Sequence, residues 1–159
     1  METKRLFFRE LQMSDAARLF EIYSDKEAMK YREAPHHKTI DDSFKMLTRD
    51  VEMRFTKYEF RYAIIEQETK QLIGTIMYQP IYNKAIIGYS LAKKSWGNGY
   101  ATEVVNWMVN HLKQNNFKQI EAWVIKENIA SCKVLEKNNF KQISQTIYPN
   151  SIFYKLQMY

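Results

Sequence analysis

Apolar spacing changes several times along the chain, and each change marks an element. Leu6 and Phe8 alternate with Arg5, Phe7 and Arg9, which predicts a first strand. Ser14 is placed to cap a helix that carries Ala16, Leu19, Phe20 and Tyr23 on one side. A short helix around Lys26 to Tyr31 is expected next, then a loop at Pro35-His36-His37. Thr39-Ile40-Asp41-Asp42 reads as a helix start, and Ile40, Phe44, Leu47, Val51 and Phe55 continue it as the expected buried stripe.

From Tyr58 the period drops to that of a strand. Phe60, Tyr62 and Ile64 alternate with Arg61, Ala63 and Ile65, and Leu72 to Tyr78 returns as the hairpin partner after Gln67-Glu68-Thr69-Lys70. Pro80 to Lys84 is a second turn, and Ala85 to Ala92 a third strand. Short connections make these neighbours antiparallel. Val104, Val105, Met108, Val109 and Leu112 then mark a buried helix face, ended at Asn115-Asn116 because Asn tolerates left-handed geometry. Ile120 to Ile125 is a strand reached by a crossover, so it runs parallel to the one before the helix. Asn128 caps a helix holding Ser131 and Leu135, which Asn138-Asn139 ends. Ile143 to Tyr148 and Ile152 to Met158 form a closing hairpin. No repeat, linker or low-complexity tract interrupts the pattern, so residues 1–159 are expected to form a single domain.

Composition narrows the class. The chain has 159 residues, 45% hydrophobic and 26% charged, which suits a globular domain with a real core. No apolar run approaches the roughly 20 residues of a membrane span. Met1-Glu2-Thr3-Lys4-Arg5 lacks the apolar region of a secretion signal, and a single cysteine allows no internal disulfide. Both fit a reducing cytoplasm. A net charge of +6 suits a polyanionic ligand. The Lys and Arg residues are scattered, which argues against a nucleic-acid partner. Self-association as a homodimer is left open.

Chemistry concentrates at Lys94-Ser95-Trp96-Gly97-Asn98-Gly99-Tyr100-Ala101-Thr102, between a strand and a helix. Two glycines flanking one residue allow a sharp turn and close approach to a ligand. The helix behind them offers unpaired N–H groups and the positive end of its dipole, which together bind phosphate. A Walker loop is excluded, because no Gly-x-x-x-x-Gly-Lys-Ser/Thr string exists. A dinucleotide fingerprint wants a third glycine where Thr102 stands, and an acid closing the next strand; Glu121 falls early in that strand. A purely structural turn is the plain alternative.

Lys94 to Gly99 resembles the acetyl-CoA loop of the GNAT superfamily of N-acetyltransferases, Gln/Arg-x-x-Gly-x-Gly/Ala after a strand, with Lys in first position. Glu127-Asn128-Ile129-Ala130-Ser131-Cys132-Lys133-Val134-Leu135-Glu136-Lys137-Asn138-Asn139-Phe140 is similar to its second cofactor-binding segment, at the right spacing. Trp96 to Glu103 with Asn128-x-x-Ser131, and Arg5-Leu6, Asp15-Ala16 and Ile22 to Asp25 near the N-terminus, resemble the ribosomal-protein alanine N-acetyltransferase branch. The likeness covers essentially the whole chain. It implies an α/β fold: a mixed, mostly antiparallel sheet of roughly six or seven strands flanked by helices, with splayed central parallel strands and the acetyl-pantetheine arm in the gap. It implies acetyl-CoA as donor, a primary amine as acceptor (a protein N-terminus or a small molecule), direct attack on the thioester, and cofactor contacts from Leu91, Ala92, Trp96, Gly97, Asn98, Gly99, Tyr100, Ala101, Thr102, Asn128 and Ser131.

Residue by residue, each role has a plainer rival. Backbone N–H groups from Tyr89 to Ala92 are candidate oxyanion donors, or simply ladder bonds. Asn128 is a candidate pantetheine contact and also a helix cap. Leu135 stands where many superfamily members carry an acidic tyrosine. By the branch match Ser131 inherits protonation of the departing thiolate; a surface serine is the alternative. A carboxylate often found before the loop is replaced by Ile86. Glu103, Glu121, His36, His37 and His111, or a water chain, remain as base candidates, with surface ion pairing expected for Glu121 and solvation for the adjacent histidines. Cys132 projects away from Ser131 and is expected in the core. No Cys/His/Asp grouping has metal-ligand spacing, so no metal is expected. A non-catalytic acyl-CoA-binding module on the same fold is the rival to an enzyme.

Overall fold

A computed structural model describes residues 1–32, 34–143 and 148–158. Its seven strands form one sheet in the order β1-β2-β3-β4-β5-β7-β6. They are β1 Leu6–Glu10, β2 Phe60–Glu66, β3 Leu72–Ile81, β4 Lys84–Leu91, β5 Gln119–Ile125, β6 Lys141–Ile143 and β7 Ser151–Gln157. Four helices accompany them: α1 Ala16–Tyr23, α2 Ile40–Phe55, α3 Tyr100–Gln114 and α4 Ile129–Lys137. The chain divides into two units, one of Met1–Met77 with Tyr89–Asn98, the other of Tyr78–Gly88 with Gly99–Tyr159.

In the first unit β1 and β2 pair antiparallel from Leu6↔Glu66 to Glu10↔Tyr62. The core joins Leu19, Ile22 and Tyr23 of α1, Leu47 of α2, Ala63 and Ile65 of β2, and Leu72 of β3 with Ala92. α2 starts where expected: the Thr39 N–H donates to Asp42 Oδ2 at 3.1 Å and the Asp42 N–H to Thr39 O at 3.1 Å. Its face is turned from the expected one. Ser43, Leu47 and Asp50 are buried, while Ile40, Phe44, Val51 and Phe55 are exposed, Phe55 by 86%. The buried arc is thus rotated toward polar residues that packing has desolvated.

Two other expectations are corrected here. Ser14 does not cap α1; it lies exposed in a 3-10 turn, Met13–Asp15. Asp15 accepts instead, from the Gln12 N–H at 2.8 Å and from Arg9 through two bonds of 2.8 and 2.7 Å, because a carboxylate satisfies several donors at once. The expected helix at Lys26–Tyr31 is a run of turns. The Asp25 carboxylate receives the N–H groups of Glu27 and Ala28, a local competitor to helix propagation.

In the second unit β4 and β5 run parallel through Lys84↔Gln119, Ala85↔Ile120 and Ile86↔Glu121. β7 pairs antiparallel with β5 and β6. β3 runs through Pro80 to Ile81, so the turn is shorter than expected, Tyr82 and Asn83 alone, with Tyr82 at φ 54°. Pro80 sits one residue from the strand end, where a missing N–H costs least. α3 buries Val104, Val105, Trp107, Met108 and Leu112, and its His111 meets Tyr78 of β3 at 5.9 Å between ring centres. Asn116 and Asn139 take left-handed φ of 64° and 66° after their helices. The expected strand Ile143 to Tyr148 falls mostly on 144–147, outside the described residues.

Candidate active site

β4 ends at Leu91, and a 3-10 turn, Lys93–Ser95, leads into the glycine turn. Gly97 and Gly99 have φ of 77° and 76°, a region open to few other residues. A Cβ on Gly97 would meet no atom within 4 Å, so its backbone angle, not crowding, requires glycine. Trp96 is 46% exposed, yet its indole N–H donates to Leu91 O at 3.1 Å and holds the turn against the strand end. The Asn98 amide donates to Trp96 O at 3.1 Å, and Asn98 O accepts from Arg5 at 2.8 Å. Gly97, Asn98 and Gly99 are exposed.

Gly99 is the N-cap of α3, and the first helical bond runs from the Glu103 N–H to Gly99 O at 3.2 Å. The N–H groups of the first turn therefore fall at Tyr100, Ala101 and Thr102. The Ala92 N–H donates to Ile73 O at 2.8 Å and so serves the strand ladder.

Asn128 caps α4: its Oδ1 accepts the Ser131 N–H at 3.2 Å. That bond sets the two residues one turn apart on the same helix end. Cys132 is buried, as its place beside Ser131 predicts. Leu135 is buried in the core. The Tyr154 hydroxyl donates to Glu136 at 3.0 Å; burial first, then its bonds to Cys132 and Glu136, raise its pKa. The α3 and α4 helices are tied where the Asn138 amide donates to Thr102 O at 3.3 Å.

The base candidates fare differently. Glu121 is ion-paired as expected but buried, not at the surface: its Oε1 accepts from Lys84 at 2.9 Å and from Gln119 at 2.5 Å. His37 is buried rather than solvated. Its Nδ1 lies 2.8 Å from Ser43 Oγ and its ring stacks on Tyr23. Burial, then the Arg32 charge, lowers its pKa. His111 stacks on Trp107, and burial lowers its pKa too. Among the described residues no three His, Cys, Asp or Glu side chains are grouped to hold a metal ion. No helix is long and apolar enough to cross a membrane among those residues.

A second polar constellation escaped the sequence reading. The Tyr23 hydroxyl lies 2.6 Å from Thr75 Oγ1, Arg61 donates to Thr75 at 3.2 Å and to Glu59 at 2.7 Å, and Asp50 is buried nearby in the same unit. The available signal was charge in apolar register: Arg61 shares a strand face with Ala63 and Ile65, and Asp50 follows Leu47 by three residues.

A strand that runs into a two-glycine turn and then a helix N-terminus offers unpaired backbone N–H groups of the kind that bind phosphate. The chain belongs to the GNAT acetyltransferase family, for a family profile described as an acetyltransferase (GNAT) domain matches residues 5–141. It is 29% identical to an uncharacterized N-acetyltransferase, YoaA, of Bacillus subtilis, over all of this chain and 94% of that one. A spermidine N-acetyltransferase from Vibrio cholerae, solved with CoA and spermine, shares the fold at TM-score 0.82 and 17% identity, over 98% of this chain and 96% of that one. A ribosomal-protein-S5-alanine acetyltransferase from Vibrio fischeri does so at 0.79 and 22%, over 99% and 95%. The protein is thus an N-acetyltransferase by family, with the α/β sheet that the sequence predicts.

Proposed function

We propose that the protein transfers acetyl from acetyl-CoA to a primary amine by direct attack on the thioester. The observation that carries this reading is the glycine turn, whose two left-handed glycines open directly onto α3. The pyrophosphate binds the first-turn N–H groups and dipole of α3 around Gly97 to Thr102. Leu91, Ala92, Trp96 and Asn128 complete the donor contacts. The amine attacks neutral, and the tetrahedral oxyanion takes N–H donors from the end of β4. Ser131 gives its hydroxyl proton to the thiolate as the C–S bond breaks, and is reprotonated by the proton that the attacking amine loses on becoming an amide. Thiols of pKa ~8.5 leave tolerably unaided, so this proton is worth about tenfold to a hundredfold.

The acceptor is an α-amine or small amine. An α-amine of pKa ~8 is about one-tenth neutral at pH 7, so it needs little help from a base. That matters because Ile86 replaces one carboxylate and Glu121 is spent on Lys84. The same observation favours the rival, a non-catalytic acyl-CoA-binding module. One experiment separates them. Acetyl-CoA should raise the melting temperature, with added salt weakening its binding, and a panel of amines should release free thiol from it. Absence of acetyl-CoA binding overturns the donor site. Binding without thiol release from any amine favours the module.

A further inference from the structure

Asn98 stands between two glycines, at left-handed φ of 77° and 76°. Glycine has no Cβ to favour one orientation of its flanking peptides, so the Asn98–Gly99 peptide is free to turn its oxygen either way. One bond fixes it. Arg5, the residue ahead of β1, donates through Nη1 to Asn98 O at 2.8 Å, across 93 positions of sequence. A trans peptide is planar, with its oxygen and its hydrogen on opposite sides. Holding Asn98 O against Arg5 therefore aims the Gly99 N–H away from the guanidinium.

Other carbonyl oxygens of the turn are answered in the same way. Leu91 O accepts from the Trp96 indole at 3.1 Å, Trp96 O from the Asn98 amide at 3.1 Å, and Ser95 O from the same amide at 3.4 Å. Among the described residues, the N–H groups of Gly97, Asn98 and Gly99 meet no acceptor. Oxygens are drawn back and hydrogens left open, the arrangement in which successive backbone N–H groups cradle an anion. The lysines beside the turn are engaged elsewhere: Lys93 pairs with Glu27, and Lys94 donates to Gln71 at 3.0 Å. Arg5 is exposed, and an exposed charged contact contributes little to the fold. What this one does is orient a peptide.

We infer that Arg5 is a positioning residue for the acetyl donor. It holds the Asn98–Gly99 peptide with the Gly99 N–H open to the pyrophosphate. A flipped peptide would present the Asn98 oxygen instead and repel the phosphate. This rests on the donor-site reading above and adds to it a residue from far outside the loop.

The test uses the whole chain, the Arg5→Ala and Arg5→Lys variants, and acetyl-CoA. Lysine still brings a charged donor to Asn98 O, and alanine brings none. Both substitutions are at the surface, so Tm without ligand should stay within about 2 °C of wild type. Calorimetry should show the acetyl-CoA Kd raised about tenfold in Arg5→Ala and kept within about threefold of wild type in Arg5→Lys, as loss and retention of one charge-assisted bond predict. Nitrogen–proton NMR on glycine-labelled protein, which shows only four glycine amides, reads the peptide itself. At saturation, acetyl-CoA should slow hydrogen exchange of the Gly99 amide in wild type and Arg5→Lys, with protection at least fivefold weaker in Arg5→Ala. Wild-type affinity in Arg5→Ala, an Arg5→Lys protein as weak as Arg5→Ala, or full protection of Gly99 in Arg5→Ala overturns the inference. A wild-type protein that binds no acetyl-CoA fails the donor site itself, a different result from binding in which Arg5→Ala equals wild type.

Discussion

Gly74 in β3 packs directly beneath the end of β4, and Gly74→Ala tests how tightly. A Cβ added at Gly74 would sit 2.8 Å from Leu91 Cδ2 and 3.0 Å from Leu91 Cα, and closer still to the backbone carbonyl oxygen of Ser90. Carbon atoms prefer about 3.5–4.0 Å, so the strand end must move by roughly 1 Å or the methyl must be squeezed. A leucine tip can rotate away; a backbone carbonyl in a ladder cannot, and the Ala92 N–H bond to Ile73 pins it further. Overpacking of this kind costs about 1–3 kcal/mol. The gain from stiffening the unfolded chain is about 0.4–1 kcal/mol, too small to cancel it. The net loss of about 1–2 kcal/mol should lower Tm by roughly 2–8 °C for a chain of this size. Thermal unfolding followed by circular dichroism measures it, and calorimetry with acetyl-CoA should show weaker binding, since Leu91 and Ala92 are displaced. A Gly74→Ala protein that melts at or above the wild-type temperature would refute the close approach.

Three further outcomes are expected. Gly99→Val forces a β-branched residue to a φ of 76° at the α3 N-cap, and should raise the acetyl-CoA Kd by tenfold or more, ~1.4 kcal/mol; unchanged affinity in a folded variant removes the turn from the donor site. Ser131→Ala should lower kcat with acetyl-CoA binding nearly intact, because its proton is needed only in the transition state, whereas Asn128→Ala loses the cap on α4 and about 1 kcal/mol of stability along with donor affinity; a Ser131→Ala enzyme as fast as wild type discards the acid role. His37 has a folded pKa lowered by burial, so the unfolded chain binds more protons below its ordinary value of about 6.5, and stability present above that pH is lost as pH falls through the folded value. His111 acts in the same direction. The drop in Tm from pH 7 to pH 5 should therefore be shallower in His37→Gln, and an equal slope would mean that His37 contributes nothing to it.

What the order of residues determined by itself was local. The strand periods at Leu6 to Phe8 and Phe60 to Ile65, the Thr39 start, the two-glycine turn, the Asn128 cap and the two asparagine helix ends all depend on neighbours within a few positions. Backbone angles and capping bonds are set there. The family came from resemblance, of Lys94 to Gly99 and of Glu127 to Phe140, to two motifs of a known family. The tertiary structure decided what each side chain faces. α2 was written with an apolar stripe at Ile40, Phe44, Leu47, Val51 and Phe55, yet of these Leu47 alone is buried, and the helix turns Ser43 and Asp50 inward beside it. An amphipathic pattern fixes helicity, but the rotation of the helix depends on what the sheet offers it, here Ala63, Ile65 and the charged Arg61. The same holds for His37, Glu121 and Asp50. Sequence shows a titratable group; only the packed chain shows that one is shielded by a tyrosine ring, another paired with lysine, and the third buried with one carboxylate oxygen lacking a hydrogen bond, since burial and pairing depend on residues far away along the chain.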